Sequence, residues 1–199
     1  MNAFARHATV LGALLCFSCS TAGAETIYQA VSGRISFAVR TNVPFIRVAG
    51  SSSALRGRGE GSVAGTSARV QNLRFEIDPT SFATGNRLRD RHMIEQVFTA
   101  PDGSVPPVGL RAASFQVRLK PGTATWAGEL RAEVTLRGVT RPVTFQATAT
   151  RRGDGALVRA EALLKTPDFG VKPISHAGVT VREEVRVTVE DLLVQPSSR

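Results

Sequence analysis

The chain has 199 residues, 42% of them apolar and 21% charged, and carries 25 Lys and Arg against 16 Asp and Glu for a net charge of +9. That length and balance suit one domain with a substantial core and argue against a disordered or fibrous chain. The arginines are scattered one or two per predicted strand, with few aromatics between them, which disfavours nucleic acid as a partner.

The N-terminus runs from Met1 to Arg6, then through an apolar stretch from Val10 to Phe17, to small residues ending Ala22-Gly23-Ala24. A charged start, an apolar middle too short to cross a bilayer and an A-x-A site predict a cleavable secretory leader over residues 1–24, with the mature domain at 25–199. Both cysteines, Cys16 and Cys19, fall inside that leader, and neither follows the small-residue box of a lipoprotein. The mature domain is therefore left without a thiol for a disulfide or a metal site. Loss of Arg6 with the leader leaves a net charge of +8. Such a balance suits an anionic head group or a phospholipid surface, and it equally suits a solvated outer face.

From Ile27 to Val39 apolar or small residues fall at nearly every second position, the signature of a strand. Asn42 and Pro44 interrupt it, and Phe45 to Ala49 resumes an extended run. Gly57, Gly59 and Gly61 have the wrong spacing for a dinucleotide loop and predict a strand that bends or is closely approached. Leu73, Phe75 and Ile77 share one face of the next strand, which Asp78-Pro79 ends. Between Thr84 and Phe98, Asn86 is placed to cap a short helix with Met93, Ile94, Val97 and Phe98 on one side and Arg87, Arg89, Asp90, Arg91 and His92 largely opposite. A lone amphipathic helix among strands predicts a lid or plug, and Asp90 is expected to pair with an arginine.

Strand patterning returns at Phe115, Val117 and Leu119, and again from Trp126 through Leu130 and Val134 to Leu136. Gly138 to Pro142 is expected to form a turn, Val143 to Ala149 the next strand, and Arg151 to Gly155 a hairpin loop. Ala156 to Leu164 and Val179 to Leu193 complete about eight strands. Many antiparallel strands with one apolar face predict an all-β closed barrel or sandwich, since closure removes exposed edges. The small inward residues Gly33, Gly128, Ala132, Ala147, Ala149, Ala160 and Ala162 either leave room inside or pack against large neighbours.

The mature domain has two histidines, His92 and His176, neither in a metal-ligand spacing, and no nucleophile elbow or phosphate loop. Asp90, Asp168, Glu183 and Glu184 are each explicable by a nearby arginine. The pattern favours binding over catalysis, with no resident cofactor or metal.

Several runs resemble the YceI-like family of bacterial polyisoprenoid-binding proteins. Thr84-Gly85-Asn86 with Arg89-Asp90-x-His92-Met93 is similar to its central motif, and Val134 to Val143 is similar to its L-T-x-x-G-V-T-K-P-V motif. Asp168-Phe169-Gly170 stands before the final strands as in the family, while Ala30 to Arg34 and Ser52 depart from its pattern. The resemblance implies an extended, eight-stranded, lipocalin-like antiparallel barrel with a short helical segment, exported to the periplasm. Its interior would hold an isoprenoid lipid such as a polyprenyl phosphate, or a quinone-like amphiphile.

Lipid contacts are then expected from Ile35, Phe37 and Val39, from Phe75 and Ile77, and from Phe115 and Val117. Trp126, Leu130, Val134, Phe145 and Phe169 extend that set, with Met93, Val97 and Phe98 of the lid, which Arg89, Asp90 and His92 would hold to the rim. Transient membrane contact and a homodimer remain open. The other reading of the same residues is a structural or interaction module of the cell envelope that lacks a ligand cavity.

Overall fold

The computed structural model describes residues 25–197, and the leader expected over residues 1–24 lies outside them. Period-two patterning produces ten strands. They are β1 (Thr26–Thr41), β2 (Arg47–Ser52), β3 (Leu55–Ala64), β4 (Ser67–Ile77) and β5 (Val108–Leu119), then β6 (Thr125–Leu136), β7 (Val139–Arg152), β8 (Gly155–Lys165), β9 (Ser175–His176) and β10 (Val179–Pro196). Neighbours are antiparallel throughout, and β1 also pairs with β10, which closes the sheet into a barrel. β2 and β3 pair with β1 in a single register, from Arg40 opposite Arg47 to Thr26 opposite Gly61, and so act as one strand. With β9 only a short hairpin arm on β10, the barrel has eight staves.

Alternation along β6 shows why the strands form. Leu130, Ala132, Val134 and Leu136 are buried inside, whereas Glu129, Arg131 and Glu133 are exposed outside. At about 3.3 Å per residue and a tilt of about 40°, a twelve-residue strand gives a barrel about 30 Å tall.

The glycine-rich β3 is closely approached, as its composition predicts. A Cβ at Gly57 would lie 2.0 Å from the ring of its cross-strand neighbour Phe75, so the ring can lie over the strand only because no side chain is there. One expected boundary is different. The β6–β7 turn is confined to Arg137 and Gly138, at φ 45° and 83°, and Thr140 to Pro142 already belong to β7. Pro142 is tolerated there because β8 joins β7 only from Gln146 onward, so the missing N–H falls on an unpaired edge.

The two barrel ends differ. At the hairpin end, short turns join β3 to β4, β5 to β6 and β7 to β8. At the helical end lie the β1–β2 and β6–β7 turns, the segment between β8 and β10, and the long β4–β5 connection containing helix α1 (Arg87–Met93). Asn86 caps α1 as its sequence predicts, accepting hydrogen bonds from the N–H groups of Leu88 and Arg89 at 3.0 and 3.1 Å. A π-turn over Ile94–Phe98 continues the helix, with Thr99 N–H donating to Ile94 O at 2.9 Å.

Candidate functional site

The inward faces of the staves enclose a cavity of about 970 Å³ that runs from Tyr28 and Trp126 near the hairpin end to Leu88 and His92 at the helical end. Its walls are overwhelmingly apolar. All fifteen apolar residues predicted to face the interior line it: Ile35, Phe37, Val39, Phe75, Ile77, Met93, Val97, Phe98, Phe115, Val117, Trp126, Leu130, Val134, Phe145 and Phe169. Phe169 is only 1% exposed and serves as wall more than as accessible surface. Phe98 stacks on Phe82 with ring centroids 5.7 Å apart, and Phe82 meets Phe37 edge to face at 5.8 Å, a cluster that forms part of the cavity wall.

The sequence reading missed much of the opposite wall. Val181, Val185, Val187 and Val189 of β10, with Val158 and Leu164 of β8, face the same space, and the period-two pattern that identifies those strands already carried that signal. The small residues divide into three groups, of which Ala132 and Ala162 are buried in the wall without lining the cavity. Ala147, Ala149 and Ala160 line the cavity. Gly33 and Gly128 instead lie against neighbouring strands, where a Cβ would come within 2.9 Å of Leu192 Cδ1 and 2.7 Å of Gln116 O respectively.

The polar motif is arranged otherwise than expected. Among the described residues Asp90 has no arginine partner: its Oδ1 accepts hydrogen bonds from Thr84 N–H at 2.8 Å and Thr84 Oγ1–H at 2.6 Å. Arg89 serves the same turn, donating from Nε to Thr84 Oγ1 at 2.9 Å and from its other guanidinium nitrogen to Thr84 O at 3.2 Å. The turn is itself tied to the barrel, since Ala83 and Ser51 of β2 exchange both backbone hydrogen bonds at 3.0 Å. Arg89 and His92 line the cavity together with Leu88 and Met93 of the same helix, so they do not stand on an outer face of α1. His92 there meets His176 of β9, with ring centroids 6.0 Å apart, a proximity that a separation of 84 positions in sequence conceals.

Charged side chains stand at both rims. Lys172, Arg182 and Glu183 join Arg89 at the helical end, while Arg58, Glu60, Arg69, Arg151 and Asp154 line the hairpin end. Among the described residues, no three His, Cys, Asp or Glu side chains gather as a metal site would require. Trp126 Nε1 is the one buried side-chain donor without a partner there. Two carboxyl groups titrate below their ordinary value. The side chain and then the N–H of Thr80 hold Asp78 down, and those of Ser104 hold Asp102 down. Both stand outside the cavity and cap turns.

Three comparisons bear on this barrel. The YceI-like domain model matches residues 28–191. A polyisoprenoid-binding domain from Saccharophagus degradans, implicated in plant cell wall breakdown, superposes with a TM-score of 0.57 at 18% identity, covering 86% of this chain and 98% of that one. BcnA of Burkholderia cenocepacia superposes with a TM-score of 0.59 at 18% identity, covering 82% and 95%. No curated protein matches the chain in sequence.

Proposed function

The chain belongs to the YceI-like family, and on that premise we propose that its barrel is a carrier for an isoprenoid lipid, either a polyprenyl phosphate or a quinone-like amphiphile. The observation that carries this reading is the apolar tube of about 970 Å³ within a barrel whose walls offer a long tail little but hydrocarbon. Each five-carbon unit moved from water into such a tube contributes on the order of 2 to 4 kcal/mol before ordering losses. A long tail therefore binds tightly with few polar contacts. The solved domain from Saccharophagus degradans, described as polyisoprenoid-binding, supports the same ligand class. An envelope module without a ligand cavity fits this interior poorly.

In this reading the leader expected at residues 1–24 exports the protein to the periplasm, where the carrier shields an apolar chain from water. Binding and release require no covalent step, and the residues at the rims act by orienting a head group. Native mass spectrometry of protein purified from the periplasm of its own host is expected to reveal a co-purifying lipid that solvent extraction removes. Protein that is reproducibly empty, and that takes up no prenyl lipid when offered it, overturns the reading.

A further inference from the structure

The helical end of the barrel exposes large apolar side chains. Phe45, at the tip of the β1–β2 turn, is fully exposed and held at φ 67°, a left-handed conformation unusual for a bulky residue. Beside it Ile46 is 44% exposed, and Leu88 of α1 is 55% exposed. Ile46 and Leu88 also line the cavity, so this apolar rim is continuous with the mouth of the tube. The rim is braced. Asn42 joins the β1–β2 turn to the β9–β10 hairpin by accepting from Thr180 N–H at 2.7 Å and donating to Gly178 O at 3.1 Å.

The charges around this rim are arranged unfavourably for a surface facing only water. Arg40 and Arg47 stand directly opposite one another at the base of the turn that carries Phe45. Arg87 and Arg91 lie one helical turn apart on α1, and all four are exposed. Like charges so placed repel each other in a strand pair and on a helix. Neither pair has an acidic partner: the ion pairs among the described residues are Arg159 with Asp191 and Arg186 with Glu161. Asp90 is engaged by Thr84, and Glu95, exposed on the π-turn that continues α1, forms no ion pair among the described residues. The β9–β10 side of the mouth is mixed, with Lys172 and Arg182 beside Glu183, whereas the β1–β2 turn carries Arg40 and Arg47 with no acid between them.

From this combination we propose that the β1–β2 turn and α1 form a docking surface for an anionic lipid bilayer, with Phe45, Ile46 and Leu88 entering the interface and Arg40, Arg47, Arg87 and Arg91 meeting the phosphates. An anionic interface satisfies both features at once, since it accepts apolar side chains at shallow depth and attracts clustered arginines. The mouth of the tube then faces the membrane, and an apolar tail passes between bilayer and barrel without crossing water. The purpose of such docking rests on the carrier reading; its physical grounds do not.

The test is flotation of the purified protein with vesicles of phosphatidylcholine alone or with about a third phosphatidylglycerol. Binding is expected only to the anionic vesicles and is lost when salt rises from about 0.1 M to about 1 M, which shortens the screening length from about 10 to about 3 Å. Phe45→Ser and the double change Arg47→Glu with Arg91→Glu are each expected to weaken partitioning about tenfold or more. Ile27→Ser, which removes an exposed apolar residue at the hairpin end, and Leu163→Ser, on the outer wall, are expected to leave it unchanged. A Phe45→Trp variant in a Trp126→Phe background, whose single indole is at position 45, is expected to show emission quenched by brominated lipid. No binding to anionic vesicles, no quenching at position 45, or loss of binding through Ile27→Ser in place of Phe45→Ser overturns the proposal. Lipid content measured on the same samples separates the two readings. Lipid-loaded protein that ignores vesicles refutes docking alone, and docking by protein that never takes up lipid refutes the carrier alone.

Discussion

Replacing Asp90 by Ala removes the acceptor that organises the turn before α1. Asp90 Oδ1 takes two hydrogen bonds from Thr84, at 2.8 and 2.6 Å, in a half-buried site, and Thr84 in turn accepts Nε–H of Arg89. Bonds to a charged acceptor contribute about 1.5 to 3 kcal/mol each, and water can re-enter a half-buried site, so the expected loss is about 2 to 3 kcal/mol for the pair. In a domain of this size that corresponds to a fall in melting temperature of about 4 to 12 °C. Asp90→Asn keeps an oxygen in place for both donors and forfeits only the charge assistance, so it is expected to lose about half as much. Thermal unfolding followed by circular dichroism measures both variants. An Asp90→Ala protein that melts within about 2 °C of the parent shows that the turn is held by something else. An Asp90→Asn protein as unstable as Asp90→Ala shows that charge, not acceptor geometry, is what matters at this position.

Phe98→Ala unstacks Phe82 and leaves a void that merges with the existing tube, so the loss is expected near the low end for such changes, about 3 kcal/mol, read as a shift in denaturant midpoint. Ala160→Phe places a ring inside the tube opposite Ala147, and is expected to abolish lipid uptake while the barrel still folds; uptake at the parental level would show that the tail does not occupy this segment. Hydrogen bonds from Thr80 lower the Asp78 carboxyl in the folded state from its usual 3.8. The stability that it adds is thus fully present above that value and disappears as pH falls through the lower folded value. Asp78→Asn is expected to flatten the acid limb of a stability profile below about pH 4.

What could be read from the chain alone was whatever depends on neighbours in sequence. Alternation such as Leu130, Ala132, Val134, Leu136 against Glu129, Arg131, Glu133 follows from the covalent geometry of an extended backbone, and it identifies strands and their inner faces without knowledge of their partners. The cap at Asn86 and the glycines of β3 were legible for the same reason, as local backbone requirements. Partners across the barrel were not. That Asp90 serves Thr84 and no arginine, that His92 meets His176, and that Gly33 and Gly128 press on neighbouring strands while Ala147 and Ala160 open the tube all depend on register and closure. Register and closure belong to the whole sheet: β1 must meet β10 before either has an inside, and that pairing joins residues separated by most of the chain.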